Sequence, residues 1–208
     1  MDGARSAVHL LVVTDWTLGE DRLLGVLERI AALGPRVALQ HRHPGAPTRT
    51  FLAHARTLAA LCGRRGNPLF VNGRLDVALL VGAHLHLPVD APTPAQVRAH
   101  LPPGRWVSAS VHDAAELERA RGADLVLVSP VFPPGSKPTD ARPPLGPAGY
   151  AQLRSLARCP ALALGGMTVE RLAELGSVDG VAVQSAVLRA VDPVSVASAL
   201  LARLPQPG

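Results

Sequence analysis

The chain has 208 residues, and 48% of them are apolar, so it can build a large core without disulfides or a structural metal. Its net charge of +5 does not indicate a nucleic-acid partner, because 20 of the 21 basic residues are arginines scattered along the chain. Cys62 and Cys159 fit no zinc spacing, and we see neither a signal segment nor an apolar span of about 20 residues. We therefore expect a cytoplasmic protein without a membrane partner.

Eight short apolar runs read as strands that are buried on both faces, because they are continuous rather than alternating. In chain order they are Val8–Thr14, Arg36–Gln40, Leu69–Val71, Leu85–Leu87, Trp106–Ser110, Leu125–Ser129, Ala161–Leu164 and Gly180–Val183.

Helical patterns lie between these strands. Leu23, Leu27 and Ile30 repeat on one helical face, and Asp113 with Glu116 has the spacing of a capping box. Asp192 is placed to cap a last helix, from Pro193 to Leu204.

Eight strand-then-helix units predict an α/β fold, a single-domain (β/α)₈ TIM barrel over residues 1–208. The alternative is an open doubly wound sheet, but no Gly-x-Gly-x-x-Gly follows the first strand. The longest irregular segment, 130–147, is rich in proline, and a loop of that length is often functional.

In a TIM barrel the chemistry lies just after the strands, so we read the residues at those positions. Gly165 and Gly166 follow strand seven, and Gln184 and Ser185 follow strand eight. Glycine N–H groups and a helix start there favour a phosphate site, although a tight turn would also need glycine.

Other strand ends carry groups with more than one interpretation. His112 is either a proton-transfer group or a surface histidine, and Lys137 either folds over an anion or is a solvated loop residue. We interpret Arg42 as an anion clamp; a metal pair of His41 and His43 is the weaker alternative, since no carboxylate is near in sequence.

Seven segments together resemble the superfamily of thiamine-phosphate synthases and thiazole tautomerases. They are 10-LLVVTD-15, 40-QHRHP-44, 71-VNGRLDVAL-79, 108-SASVHDAAEL-117, 128-VSPVFPPGSKP-138, 162-LALGGMT-168 and 180-GVAVQSAV-187. The resemblance implies a (β/α)₈ barrel that binds phosphorylated thiazole precursors of thiamine.

The two branches of this superfamily differ in their need for a metal. The synthase joins a pyrimidine diphosphate to thiazole phosphate, releases pyrophosphate and uses Mg²⁺ held by carboxylates. Its pattern has an aspartate where this chain has Gly73, a second acid where it has Ala91, and a lysine where it has Pro44. Asp90, one residue from the second position, and Asp15 are the remaining candidate ligands.

The resemblance therefore favours the tautomerase branch, whose members tend to carry Asn-Gly-Arg at 72–74. It implies an isomerase of thiamine biosynthesis that aromatises a carboxythiazole phosphate without any cofactor. His112 would transfer the proton, and the substrate would bind through Arg42, Asn72, Lys137, Gly165, Gly166, Gln184 and Ser185.

Two alternatives remain beside this interpretation. One is a thiamine-phosphate synthase with a modified Mg²⁺ site, and the other is a regulatory protein that binds thiazole or thiamine phosphate without catalysis. The expected partner is the small phosphorylated thiazole, and the sequence leaves a homodimer open.

Overall fold

In a computed structural model, which describes residues 8–133 and 142–206, eight parallel strands close into a barrel in chain order. The last strand pairs with the first, with Leu10 opposite Val181. The predicted (β/α)₈ barrel is therefore confirmed, and the open sheet is excluded. The strands are β1 Leu10–Val13, β2 Val37–His41, β3 Leu69–Asn72, β4 His84–Leu87, β5 Val107–Val111, β6 Leu125–Val128, β7 Ala161–Leu164 and β8 Gly180–Val183.

Helices follow the strands and cover the outside of the barrel. The described helices are α1 Glu20–Ala31, α2 Thr48–Arg65, α3 Leu75–Val81, α4 Pro94–Arg98, α5 Ala114–Arg119, α6 Gly146–Leu156, α7 Val169–Leu172, α8 Ser185–Leu188 and α9 Pro193–Arg203. Asp192 caps α9 as predicted, since its Oδ1 accepts from the N–H groups of Val194 and Ser195. Within the described ranges, no helix has both the length and the apolar character to cross a membrane.

The apolar residues form two separate layers. One fills the space between the barrel and its helices, with Leu23, Leu27 and Ile30 of α1 fully buried, as their spacing predicts. The other lies inside the barrel and includes Leu11 and Phe70. Because successive side chains of a strand point to opposite faces, each strand contributes alternate residues to these two layers.

The upper part of the barrel interior is polar on the β2–β5 side. Gln40, Asn72, His86 and Ser110 come from β2, β3, β4 and β5 respectively, and all four border the cavity described below. On the opposite side β6–β8 contribute apolar residues such as Leu127 and Ala182. Within the strands themselves, hydrogen-bonding side chains of β2–β5 therefore lie opposite apolar side chains of β6–β8.

A buried histidine links stability to pH. His41 of β2 is 0% exposed, and its Nε2 lies 3.0 Å from the carbonyl oxygen of Phe51. Burial lowers the pKa of His41 to about 4, against about 6.5 in the unfolded chain. Between these values the unfolded state binds the extra proton, so stability falls as the pH drops below 6.5.

We expect His41→Leu to remove this contribution. At pH 5 the variant should gain about 2 kcal/mol relative to the wild type, beyond any difference at pH 7. Urea unfolding at the two pH values measures the change, with the exposed His100→Gln as the control variant. An equal pH dependence in wild type and His41→Leu would show that His41 is not held neutral.

Candidate active site

A cavity of about 570 Å³ opens at the carboxyl ends of the strands, as expected for this fold. All the sequence-predicted site residues that the structure describes line it, namely Arg42, Asn72, His112, Gly165, Gly166, Gln184 and Ser185. Lys137, also predicted, lies outside the described residues. Choosing the residues that follow the predicted strands therefore selected side chains and glycines that the barrel brings together.

The β7–β8 side of the cavity is built for an anion. Gly165 and Gly166 have φ of +93° and +62°, and their carbonyls accept from Phe132 N–H (3.0 Å) and Arg171 Nη1 (2.7 Å). In the described part of the chain, the N–H groups of Gly166 and Ser185 have no acceptor. Free N–H groups at a glycine turn and a helix start attract a phosphate.

The same glycines are also required by packing. A Cβ on Gly166 would lie 2.6 Å from the carbonyl oxygen of Pro133 and 2.8 Å from Cβ of Phe132. A Cβ on Gly165 would lie 2.8 Å from Cα of Pro130. Both interpretations of the glycines are therefore compatible, since the close turn brings the N–H groups to the cavity.

We expect Gly166→Ala to destabilise the protein by about 2–5 kcal/mol, through left-handed backbone strain and contact with a backbone oxygen. Gly176→Ala is the matched control, because Gly176 has φ +65° and nothing within 4 Å of an added Cβ. Strain alone should cost the control about 1–2 kcal/mol. If the two variants lose the same free energy of unfolding in urea, residues 130–133 move to make room for the added methyl group.

His112 is held by an acidic partner. Its Nδ1 lies 2.7 Å from Oε2 of Glu116, and the same oxygen accepts its backbone N–H at 2.8 Å. Asp113 caps α5 by accepting from the N–H of Glu116, which is half of the predicted capping box. The carboxylate of Glu116 contacts His112 instead of completing the box. Nδ1 is therefore occupied, and Nε2 is the nitrogen left for a ligand.

Arg42 provides a guanidinium at the cavity wall. Its backbone is fixed by Thr14, whose Oγ1 donates to the Arg42 carbonyl and accepts the Arg42 N–H, both at 2.9 Å. Its side chain has no ion-pair partner among the described residues. Gln184 also has a structural role, because its Nε2 donates a hydrogen bond to the Thr14 carbonyl at 3.0 Å.

Residues 72–74 form a strand-to-helix corner rather than a hairpin. Gly73 has φ +69°, and its N–H donates to the His86 carbonyl at 2.8 Å. Asn72 borders the cavity, whereas Arg74 turns away and pairs with Asp76 at 2.6 Å. Only the first residue of the tripeptide therefore contributes its side chain to the site.

Some polar cavity residues lie within the predicted strands and not after them, as Gln40 and Ser110 do. Gln40 is 2% exposed and its Nε2 has no partner, and Ser110 and His86 are hydrogen-bonded to each other at 3.0 Å. Reading the residues after the predicted strands selects neither Gln40 nor Ser110. The sequence feature that could reveal them is a polar residue inside an apolar strand, two positions away from another residue that points into the barrel.

The carboxylates do not form a metal site. Asp90 is exposed at the cavity mouth, and Asp15 is bound to Arg189 at 2.8 Å in a neighbouring cavity. Burial opposes ionisation of Asp15, but hydrogen bonds from Thr17 and Arg189 outweigh it and lower its pKa. In the described ranges no three His, Cys, Asp or Glu side chains converge on a metal position.

Comparisons with known proteins identify the relatives of this chain. The family model described as "Thiamine monophosphate synthase" (TMP-TENI) matches residues 10–187. Thiamine-phosphate synthase of Methanoculleus marisnigri is 38% identical over 94% of both chains. That of Albidiferax ferrireducens is 36% identical, covering 90% of this chain and 87% of its own. Thiamine phosphate pyrophosphorylase from Pyrococcus furiosus superposes with a TM-score of 0.82 at 31% identity, covering 95% and 96%.

These relatives correct the predicted isomerase function. The tautomerase interpretation is wrong, because the similar proteins are named as synthases. It depended heavily on the missing side chain at Gly73, yet Arg42, two glycines after β7 and a polar wall line the cavity. The departures at Gly73, Ala91 and Pro44 do not distinguish reactions that share those features. The chain belongs to the thiamine monophosphate synthase family.

Proposed function

We propose that this protein is a transferase that joins a pyrimidine diphosphate to a thiazole phosphate and releases pyrophosphate. The observation that carries this proposal is the cavity with two polar sides. Gly166 and Ser185, with their N–H groups, follow β7 and β8, while Arg42 follows β2, and Asn72 and Ser110 belong to β3 and β5 on the other side of the barrel. Two charged substrates can therefore enter one space with their anionic groups apart.

The thiazole phosphate fits the β7–β8 side. The N–H groups of Gly166 and Ser185 have no acceptor among the described residues and can bind phosphate oxygens, and Gly165 lets the backbone approach closely. The hydroxyl of Ser185 borders the same space. These contacts would fix one end of the thiazole and point its ring towards the centre of the cavity.

The pyrimidine diphosphate fits the β2–β5 side. Arg42 would bind the diphosphate, since a guanidinium matches phosphate oxygens in two places at once. Gln40 and Ser110 lie deeper and can hydrogen-bond the ring. Leu127 and Leu164 supply apolar surface between the two sides, which suits the faces of two aromatic rings.

The bonds formed and broken in this reaction balance without any proton transfer. A thiazole ring nitrogen donates its lone pair to the pyrimidine methylene carbon while the carbon–oxygen bond breaks and its electrons leave on the diphosphate. Arg42 stabilises the charge that develops on the leaving group. His112, oriented by Glu116, then acts as a hydrogen-bond donor or acceptor through Nε2 rather than as an obligatory base.

The residues present do not fit a Mg²⁺ site made by the protein. Among the described residues that line the cavity, Asp90 is the one carboxylate, and it is exposed. Mg²⁺ favours octahedral oxygen ligands and is commonly held by one or two carboxylates together with substrate phosphates. We therefore propose no protein-held cofactor and derive no step from a metal.

A coupling assay tests the proposed function. The purified full chain is incubated with the pyrimidine diphosphate and thiazole phosphate, with and without Mg²⁺, and both coupled product and pyrophosphate are measured. We expect equal amounts of the two products, and none when either substrate is omitted. Binding of both substrates without turnover in either condition would contradict the proposal.

A further inference from the structure

A hydrogen-bonded chain of three side chains, two buried and one half-buried, connects the barrel interior to the cavity. His86 of β4 lies opposite Ser108 of β5, and its Nδ1 is 2.8 Å from Ser108 Oγ. Its Nε2 is 3.0 Å from Ser110 Oγ, two residues further along β5 on the same face. His86 is 3% exposed and Ser108 0%, whereas Ser110 borders the cavity.

The His86 imidazole in this hydrogen-bonded chain is neutral. Burial lowers the pKa of His86 to about 3, and the charge of Arg42 acts in the same direction. One ring nitrogen therefore carries a hydrogen and the other a lone pair. Whichever nitrogen carries the hydrogen determines the direction of both hydrogen bonds.

Two features favour the hydrogen on Nδ1. The Ser108 hydroxyl has the Leu85 carbonyl 3.5 Å away as a second acceptor, so it can donate there and accept from Nδ1. Nε2 faces Ser110 and the cavity mouth, where Arg42 places a positive charge that favours a lone pair over an N–H. In this arrangement Ser110 donates its hydrogen to Nε2.

We propose that His86 and Ser108 are positioning residues that make Ser110 a hydrogen-bond acceptor towards the substrate. Because the Ser110 hydrogen is used on His86, the oxygen offers only lone pairs to the cavity. It therefore selects a ring with an N–H donor, such as an exocyclic amino group, over one with an oxo group. This specificity rests on the proposed function, in which the β2–β5 side binds a pyrimidine.

Ser108→Ala should reverse the direction of the hydrogen bond between His86 and Ser110. Without Ser108, an Nδ1–H would be a buried donor with no acceptor, whereas an unpaired lone pair is tolerated more often. The hydrogen then moves to Nε2, which donates to Ser110, and the Ser110 hydroxyl becomes free to donate to a ligand. Ser110→Ala is the matched control, since it leaves the contact between His86 and Ser108 intact.

Nitrogen-15 NMR of the labelled full chain tests this proposal without substrate. Signals of His86 are assigned by their loss in His86→Asn. We expect hydrogen on Nδ1 in the wild type and in Ser110→Ala, but on Nε2 in Ser108→Ala. Hydrogen on Nε2 in the wild type would overturn the proposal even if the coupling reaction is found.

Coupling with amino- and oxo-substituted pyrimidine diphosphates gives the second readout. The wild type should prefer the amino compound by at least roughly 10²-fold in kcat/KM, because the site leaves the oxo group unpaired. In Ser108→Ala this preference should fall by about tenfold or more. An unchanged preference in Ser108→Ala would overturn the proposal, whereas the expected NMR result without coupling would contradict only the proposed function.

Discussion

Arg42→Ala should lower kcat/KM for the pyrimidine diphosphate by on the order of 10²-fold or more. The guanidinium borders the cavity without an ion-pair partner among the described residues, so it is available for an anion. Its loss removes charge stabilisation that grows as the diphosphate leaves, so kcat should fall as well as substrate binding. Initial rates of pyrophosphate release at varied diphosphate concentration separate the two effects.

Arg189→Ala is the matched control for this prediction. Arg189 also borders a cavity at this end of the barrel, but it is bound to Asp15 through Nη2 at 2.8 Å and to Thr17 at 3.1 Å. Its replacement should change kcat/KM by less than about tenfold. Equal losses in the two variants would mean that general positive charge, and not the position of Arg42, supports the reaction.

The barrel could be predicted because its signals are local. Continuous apolar runs such as Ala161–Leu164 and Gly180–Val183 coincide with β7 and β8, since these two strands are buried on both faces and carry no polar side chain. The boundaries elsewhere shift by one or two residues. β3 extends to Asn72 and β5 to Val111, because the hydrogen-bonded ladder with neighbouring strands sets a strand end.

The candidate site could be predicted only in part. Strand ends in a barrel converge by topology, so Arg42 and Gly166 could be selected without knowing any contact. Gln40 and Ser110 could not, because their role follows from which face of a strand they occupy. The Glu116 carboxylate can accept from N–H groups of His112 or from the backbone N–H of Asp113, and the sequence does not determine which of these donors it contacts.

The reaction was mispredicted for a physical reason. Gly73, Ala91 and Pro44 lack the side chains of the synthase pattern, and missing ligands were taken as a missing activity. Metal affinity, however, depends on all the oxygen ligands together, and a substrate diphosphate supplies several of them. The residue at position 73 therefore bears on how Mg²⁺ is held and does not determine which bond is formed.

Gly73→Asp should create a Mg²⁺ site that the wild type lacks. An added Cβ would meet Pro88 at 3.6 Å and 3.7 Å, which is ordinary contact, so the side chain fits. The φ of +69° costs about 1–2 kcal/mol for a residue other than glycine, and aspartate tolerates it better than most. Because Asn72 and Pro88 line the same cavity as Asp90, a carboxylate added at position 73 should bind Mg²⁺ measurably in calorimetry, whereas the wild type should show no binding at millimolar Mg²⁺.

Gly73→Asn separates charge from backbone strain. Asparagine has nearly the same shape as aspartate and also tolerates a positive φ, but it adds no charge. It should lose the same stability in urea unfolding as Gly73→Asp and gain little Mg²⁺ affinity. In the coupling assay the Mg²⁺ concentration for half-maximal rate should fall about tenfold or more in Gly73→Asp alone. Tight Mg²⁺ binding by the wild type without substrate would contradict this account, because it would require carboxylates that the described residues do not bring together.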